Sequence, residues 1–436
     1  MVLKHTTSTL RNLTLLCLLI LVIVGCGKKE SVKTTDTASP NSNSVVTDTN
    51  LAAAELAAAD TLPAEEAAIA ETTDVAAGQA TEAAAKLGNF PPLASLPELP
   101  VPADNPISDA KIELGKLLFF DDRLSGDVGT SCASCHDSRL GWGDGNALSR
   151  GYAGTQHWRN SQTTINTAYL SKLFWAGESP SLEAQADSAI SGNLAGNGDA
   201  VMIEERLAQI PEYVRLFKQA FGSERPLYDH ALKAIATFER VAMDSTDSPL
   251  DEYLAGNTSA LSEEALRGKA LFEGKAGCIQ CHNGALLSDE SYHNLGLPEH
   301  PLFEKDPLRQ ISLRYQHYIR GVPEEVYRSA YTDMGLYYTT KREADIGKFR
   351  TPPLRYVSYT APYMHNGVLE TLEDVIEFYN SGGGDSENKS PLLKPLELTE
   401  DEKFDLLDFL ESMSGDEIRI TPPELPQYAT QSTASP

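Results

Sequence analysis

Basic side chains are in short supply in this chain: 36 Lys and Arg stand against 62 Asp and Glu, a formal charge of −26. Neutralising phosphates takes clustered cations, so nucleic acid is excluded as a partner, while a basic protein is not. Long apolar runs are missing too. The run from Leu15 to Val24 is too short to span a bilayer comfortably and long enough for export. Alternation of the kind that builds strands is rare, which leaves helix as the main element. Cysteine is scarce, six in 436 residues. Four of the six fall in two Cys-x-x-Cys-His strings, "SCASCHDS" from Ser131 and "GCIQCHNG" from Gly277.

Lys4 and Arg11 precede the apolar run, which ends "IVGC" with a small residue before Cys26. That string resembles a bacterial lipoprotein signal. It predicts removal of residues 1–25, a lipid on Cys26, and a periplasmic protein held at the membrane surface. An ordinary signal peptide cut nearby is the alternative, and Cys17 is discarded on either reading. Residues 26–90 are rich in Ala, Thr and Glu with few large apolar side chains, and read as a flexible acidic stalk. The Pro-rich "PPLASLPELPVPADNP" marks entry to the folded part.

Beyond Asp109, "DAKIELGKLLFF", "LEAQADSAI", "IEERLAQIPEYVRLFKQAF", "YDHALKAIATFERVAM", "SEEALRGKALF", "TLEDVIEFY" and "TEDEKFDLLDFLESM" carry apolar residues at helical spacing. Thr371 to Asp374 and Thr399 to Glu402 fit capping boxes. Long Gly-, Asn- and Pro-rich connections separate these stretches, as loops wrapping a large flat cofactor would. There is also a weak repeat: "LGKLLFFDDRLSGDVGTSCASCH" and "RGKALFEGKAGCIQCH" share a Gly-Lys helix ending in Phe, a loop, and the Cys-x-x-Cys-His string. The expected fold is therefore mainly α: two similar domains, 91–250 and 251–420, each around its own site, with a flexible tail at 421–436.

Three chemistries compete for the two strings. A disulfide framework usually carries more cysteines in a smaller domain. A structural zinc site needs four ligands, and each string offers three. In c-type haem attachment both thiols form thioethers and the adjacent His ligates iron, outside the cytoplasm, which fits the export signal. The expectation is two covalent haems, on Cys132 and Cys135 with His136, and on Cys278 and Cys281 with His282.

From about Pro106 to Glu411 the chain resembles the bacterial di-haem cytochrome c peroxidase and MauG-type family. The likeness lies in the two haem strings and in "RNSQTTINTAYLSKLFWAGESPSLEAQ", "PEYVRLFKQAF", "AIATFER" and "FRTPPLRYVSYTAPYMHNGVLETLEDVIEFY". The resemblance implies that the two domains are cytochrome c-like, each around a covalent c-type haem, and that hydrogen peroxide is reduced at the N-terminal haem, with the C-terminal haem as relay or oxidant store. It implies that Trp175 relays electrons between the haems and that Gln185 hydrogen-bonds peroxide; the bland readings are a buried anchor and a surface amide. It also implies a calcium ion on oxygens of Asn160, Thr360 and Pro362.

Three departures qualify the match. The position of the second haem's sixth ligand, methionine in the simple peroxidases, falls on Tyr379; MauG-type enzymes use tyrosine there. Tyr379 as a plain core residue, with Met364 as ligand, is the alternative. The distal histidine of some peroxidases falls on Tyr152, with His157 nearby as a substitute ligand or an ordinary loop residue. The distal acid that peroxide cleavage calls for is sought among Asp199, Glu204 and Glu205. The expected activity is peroxide reduction fed by a small cytochrome c or cupredoxin. A MauG-like oxidase acting on Trp or Tyr of a partner protein, and a di-haem electron carrier, are the alternatives. A second copy of the chain is counted among the expected partners.

Overall fold

The computed structural model describes residues 90–429, so the export signal, Cys26 and nearly all of the stalk lie outside the described residues. Thirteen helices are described: α1 (Asp109–Phe119), α2 (Leu182–Ser191), α3 (Ala200–Ala208), α4 (Pro211–Phe221), α5 (Tyr228–Ala242), α6 (Pro249–Leu254), α7 (Glu263–Glu273), α8 (Pro301–Lys305), α9 (Pro307–Ile319), α10 (Glu324–Ser329), α11 (Tyr337–Thr340), α12 (Leu372–Asn380) and α13 (Glu400–Glu411). Two short strands, β1 (Tyr292–His293) and β2 (Phe349–Arg350), pair antiparallel, Tyr292 with Arg350. Both expected capping boxes form, at the starts of α12 and α13. The stretch expected as one helix from Ile203 to Phe221 is two, because Pro211 has no N–H to continue α3 and instead starts α4 at its first position.

The repeat has a packing cause. Helix α1 crosses α5, and α7 crosses α13, each at a glycine where the backbones nearly touch. A Cβ on Gly115 would overlap the Ala234 carbonyl, and one on Gly268 would overlap the Asp405 carbonyl. One turn on, Phe119 meets Phe238 at 5.4 Å and Phe272 meets Phe409 at 5.3 Å. Each such ring contributes roughly 1.5–3 kcal/mol by leaving water. Two apolar cores grow around these crossings, one with Leu114, Phe217 and Ile235, the other with Ala265, Leu406 and Met413.

The first and last described segments cross between the cores. Leu93 is buried in the second core, whereas Ile418 and Ile420 pack on the first, where the Trp142 indole N–H donates to the Ile418 carbonyl at 2.9 Å. The tail expected from 421 onward also lies on the first half as far as it is described: Arg123 donates to the Pro426 carbonyl and sits over the Tyr428 ring.

Helices α8 to α11, expected as connection, fill the excursion between β1 and β2. Their prolines start helices rather than break them: Pro301 and Pro307 stand in the first turn, and Pro323 caps α10. Although this excursion leaves from the second motif's side, it packs on the first half, where Phe303 and Leu313 cluster with Leu148, Trp158 and Leu194. Among the described residues no helix is long and apolar enough to cross a membrane.

Candidate functional site

Each Cys-x-x-Cys-His string folds as a short 3-10 turn, Cys132–Ser134 and Cys278–Gln280. The His N–H closes the turn onto the first cysteine's carbonyl, 3.0 Å at His136 and 2.9 Å at His282. The rings are oriented alike. His136 Nδ1 lies 2.9 Å from the Trp142 carbonyl, and His282 Nδ1 lies 2.9 Å from the Leu287 carbonyl. A carbonyl only accepts, so in the neutral ring Nδ1 carries the proton and Nε2 keeps its lone pair. Trp142 and Leu287 are fully buried and hold left-handed backbone, φ 61° and 53°, an uncommon state for such side chains that aims each carbonyl at its histidine. Burial keeps both imidazoles below their ordinary pKa.

Both turns open onto one cavity of about 880 Å³. All four cysteines line it and none is in a disulfide. Burial pushes the Cys132 thiol up strongly and the Cys278 thiol to about 12. The first half's wall is built from α2 and α5, through Leu182, Gln185, Ala186, Ile235 and Glu239. The second half's wall comes from α12 and α13, through Leu372, Val375, Tyr379, Leu406 and Leu410. At each turn, paired thiols beside an imidazole with a free Nε2 fit thioether attachment of a flat iron macrocycle and its axial ligation.

The residues singled out above separate into two groups. Trp175 lines the cavity, 9% exposed; its indole N–H donates to the Asn160 carbonyl at 3.0 Å and its ring meets His365 edge-on at 6.4 Å. Its own carbonyl accepts the Arg350 N–H of β2, so it is held by both halves. Gln185 and Tyr379 line the cavity, and burial raises the Tyr379 phenol well above its ordinary value, as do the neighbouring Cys281 and Cys278. Met364, Asn160, Thr360, Pro362 and His157 line it as well.

The distal-acid candidates do not. Asp199 is exposed and caps α3, accepting the Met202 N–H at 2.9 Å. Glu204 accepts the Tyr228 N–H at 2.8 Å, and Glu205 pairs with Arg225 at the surface. A helix cap takes Asp199, a backbone N–H of the next-but-one helix takes Glu204 and a surface arginine takes Glu205, and none of the three lines the cavity. Tyr152 is also absent from the cavity wall.

Carboxyls that line the cavity but were not singled out from the sequence include Glu178, Glu239, Glu299 and Asp333. Arg159 holds Glu178 at 3.3 Å and Asp333, on the α8–α11 excursion, bidentately at 2.5 and 2.9 Å. Burial pushes Asp333 up, but Arg159 more than offsets it and keeps that carboxyl well below its usual range. The Glu239 carboxyl has no hydrogen-bond partner among the described residues; burial, opposed by Arg240 and helped by Glu183, pushes it from 4.5 to about 8. Its motif "AIATFER" was visible, but the inward turn of its glutamate depends on how α5 packs.

Residues 109–259 match the family model described as di-haem cytochrome c peroxidase. The chain is 57% identical over 349 residues to the cytochrome-c peroxidase IdrP1 of Denitromonas iodatirespirans, covering 80% of this chain and 93% of the relative. It is 36% identical to the methylamine utilization protein MauG of Methylorubrum extorquens, covering 75% and 85%. Among solved structures, a MauG-like protein associated with microbial copper homeostasis superposes with a TM-score of 0.63 at 31% identity, covering 75% of this chain and 97% of that one.

Proposed function

The chain belongs to the di-haem cytochrome c peroxidase family, oxidoreductases acting on peroxide, and from that premise we propose that it reduces hydrogen peroxide to water in the first half of its cavity with electrons relayed through the second. The family implies two c-type haems. Cys132, Cys135 and His136 would hold one; Cys278, Cys281, His282 and Tyr379 would hold the other. Bound there, they supply the one-electron chemistry that no side chain here performs alone.

The chain's own residues do the rest. The Gln185 amide reaches into the first half with no partner among the described residues, and is free to orient peroxide. Leu182, Ala186, Ile190 and Ile235 keep that space apolar and exclude water. Glu178, Glu239 and Glu299 are among the carboxyls on hand to hold the protons that peroxide takes up as its O–O bond breaks. Trp175 bridges the halves as the relay, and this carries the reading: one residue is anchored at once to the first half, its indole N–H on the Asn160 carbonyl, and to the second, its backbone carbonyl on the Arg350 N–H. Asn160, Thr360 and Pro362 sit on the same wall and offer oxygens to a calcium ion. The donor is a small cytochrome c or cupredoxin in the periplasm, where the family typically works.

Protein matured in a host that attaches c-type haem should show two haem additions by mass that survive acid-acetone extraction. It should turn over peroxide with reduced cytochrome c or cupredoxin. Extractable haem, or no turnover with any such donor, overturns the proposal. Tyr379 on the second wall favours one further reading, a MauG-like oxidase that withdraws electrons from Trp or Tyr of a partner protein; peroxide-dependent modification of a partner without an added donor distinguishes it. Cys26→Ser should release the protein from membranes with peroxide turnover intact.

A further inference from the structure

Of the other histidines on the cavity wall, His157 is held the opposite way round from His136 and His282. In those two, Nδ1 faces a carbonyl and Nε2 keeps a lone pair for a metal. In His157, Nδ1 accepts the Arg159 backbone N–H at 3.2 Å. An N–H can only donate, so in the neutral ring the proton sits on Nε2. Burial, reinforced by Arg159 and Arg309 and opposed by Asp333 and Asp144, takes this imidazole from 6.5 down to about 4, so the ring is neutral at neutral pH.

The ring is also fixed in place. It stacks on Trp158 with centroids 4.5 Å apart and planes 4° off parallel, and the Arg309 guanidinium of α9 holds the His157 carbonyl. Trp158 packs against Leu194, which lies just beyond α2, the helix that carries Gln185. Nε2 has no partner among the described residues, and His157 lines the same cavity as Gln185.

We propose that His157 is a fixed, neutral hydrogen-bond donor, through Nε2–H, to the oxygen or small anion bound in the first half of the cavity, and not a ligand to the haem iron on His136. The inference rests on the haem reading above. A neutral donor of this kind stabilises negative charge developing on an oxygen without surrendering its proton, so proton supply is left to the carboxyls. It also leaves the iron's sixth position open, which a histidine with a free Nε2 lone pair would close.

Fluoride tests this, because it accepts a hydrogen bond and brings no proton. Sodium fluoride is titrated into the ferric holoprotein, with haem content read by mass, for wild type, His157→Leu and His157→Gln. The spectra before fluoride should be the same in all three. Leucine should weaken fluoride binding about 10- to 100-fold, the scale of one hydrogen bond to a charged acceptor, while glutamine, which keeps an N–H, stays within about fivefold of wild type. Conversion of a low-spin to a high-spin spectrum in either variant makes His157 a ligand and overturns the proposal; the glutamine variant alone decides this should the leucine variant fail to mature. Unchanged fluoride affinity in the leucine variant overturns it as well. Haem missing from Cys132 and Cys135 in the wild type overturns the functional reading and this inference together, and the mass distinguishes that outcome from the other two.

Discussion

Gly115 against Ala234 in the first half and Gly268 against Asp405 in the second are the same joint made twice, and the correspondence continues along the helices. Ile235 and Leu406 face the cavity at matching positions, Phe238 and Phe409 meet the Phe of the opposing helix, and the next residues are Glu239 and Leu410. The histidines repeat the pattern, each steered by the carbonyl of a left-handed residue. What differs is the rest of the wall. The first half carries His157, Gln185, Glu178 and Glu239, groups that hold or donate protons. The second carries Tyr379 amid Leu372, Val375, Ile376, Leu406 and Leu410, with His293 lying against Cys281. One scaffold therefore carries two different walls, because the helix crossing fixes the turn while the wall residues are free to vary.

Removing the two histidines should break that comparison most severely. His136→Ala should abolish both steady-state turnover and the initial reaction with peroxide, by about 10³-fold or more, equivalent to about 4 kcal/mol. His282→Ala should stop steady-state turnover yet leave the initial peroxide reaction within about tenfold, measured by rapid mixing before donor is added. Equal loss of that first reaction in both variants would mean the halves do not divide the labour as proposed.

Tyr379→Met tests the second wall alone. A thioether favours ferrous iron and a phenolate ferric, so the variant should raise one haem potential by on the order of 0.1 V, within the ~0.8 V range that axial ligands span, and leave the other unmoved. Wild type should be active as isolated, and the variant should come to depend on prior one-electron reduction. If Tyr379→Phe alters neither the spectrum nor either potential, Met364, on the same cavity wall, is the next ligand to test.

Gly115→Ala and Gly268→Ala sharpen the shared part. Each Cβ meets backbone that cannot yield, so each variant should lose about 2–3 kcal/mol of stability, and by similar amounts. A large loss in one and none in the other, followed by denaturant melts, shows that the joints are not equivalent.

The repeat, the helices around both joints, the two motifs and the capping boxes could be read from sequence because each is written locally: a period, a cap, a spacing. What was missed depended on distance or direction. Prolines 301, 307 and 323 look like loop punctuation until their places in the first turn or at the cap are known. The Asp333 carboxyl reaches Arg159 across 174 positions. Asp199 and Glu204 have the right chemistry for a distal acid, but helix capping claims one and the Tyr228 N–H the other. Spacing tells which residues share a helix face, and only packing tells which face meets the cavity.

Glu239 against Leu410 gives the finest test, because a single side chain separates two otherwise matching positions. With its carboxyl raised from 4.5 to about 8 by burial, Glu239 keeps its proton in the folded protein across a window where the unfolded chain has released it. Within that window the folded state binds the extra proton, so stability falls as pH rises, and the penalty is absent below 4.5. Arg240 opposes the effect and Glu183 adds to it, and local opening that admits water to the carboxyl caps it. Glu239→Gln keeps the shape without the ionisation. It should match wild type at pH 5 and exceed it by about 1–2 kcal/mol at pH 8, as each pKa unit carries about 1.4 kcal/mol. Leu410→Gln, the same amide in the second half, should cost stability equally at both pH values. Parallel stability curves for wild type and Glu239→Gln would show that the glutamate is already ionised in the folded protein, and would leave the two walls alike in the protons they hold.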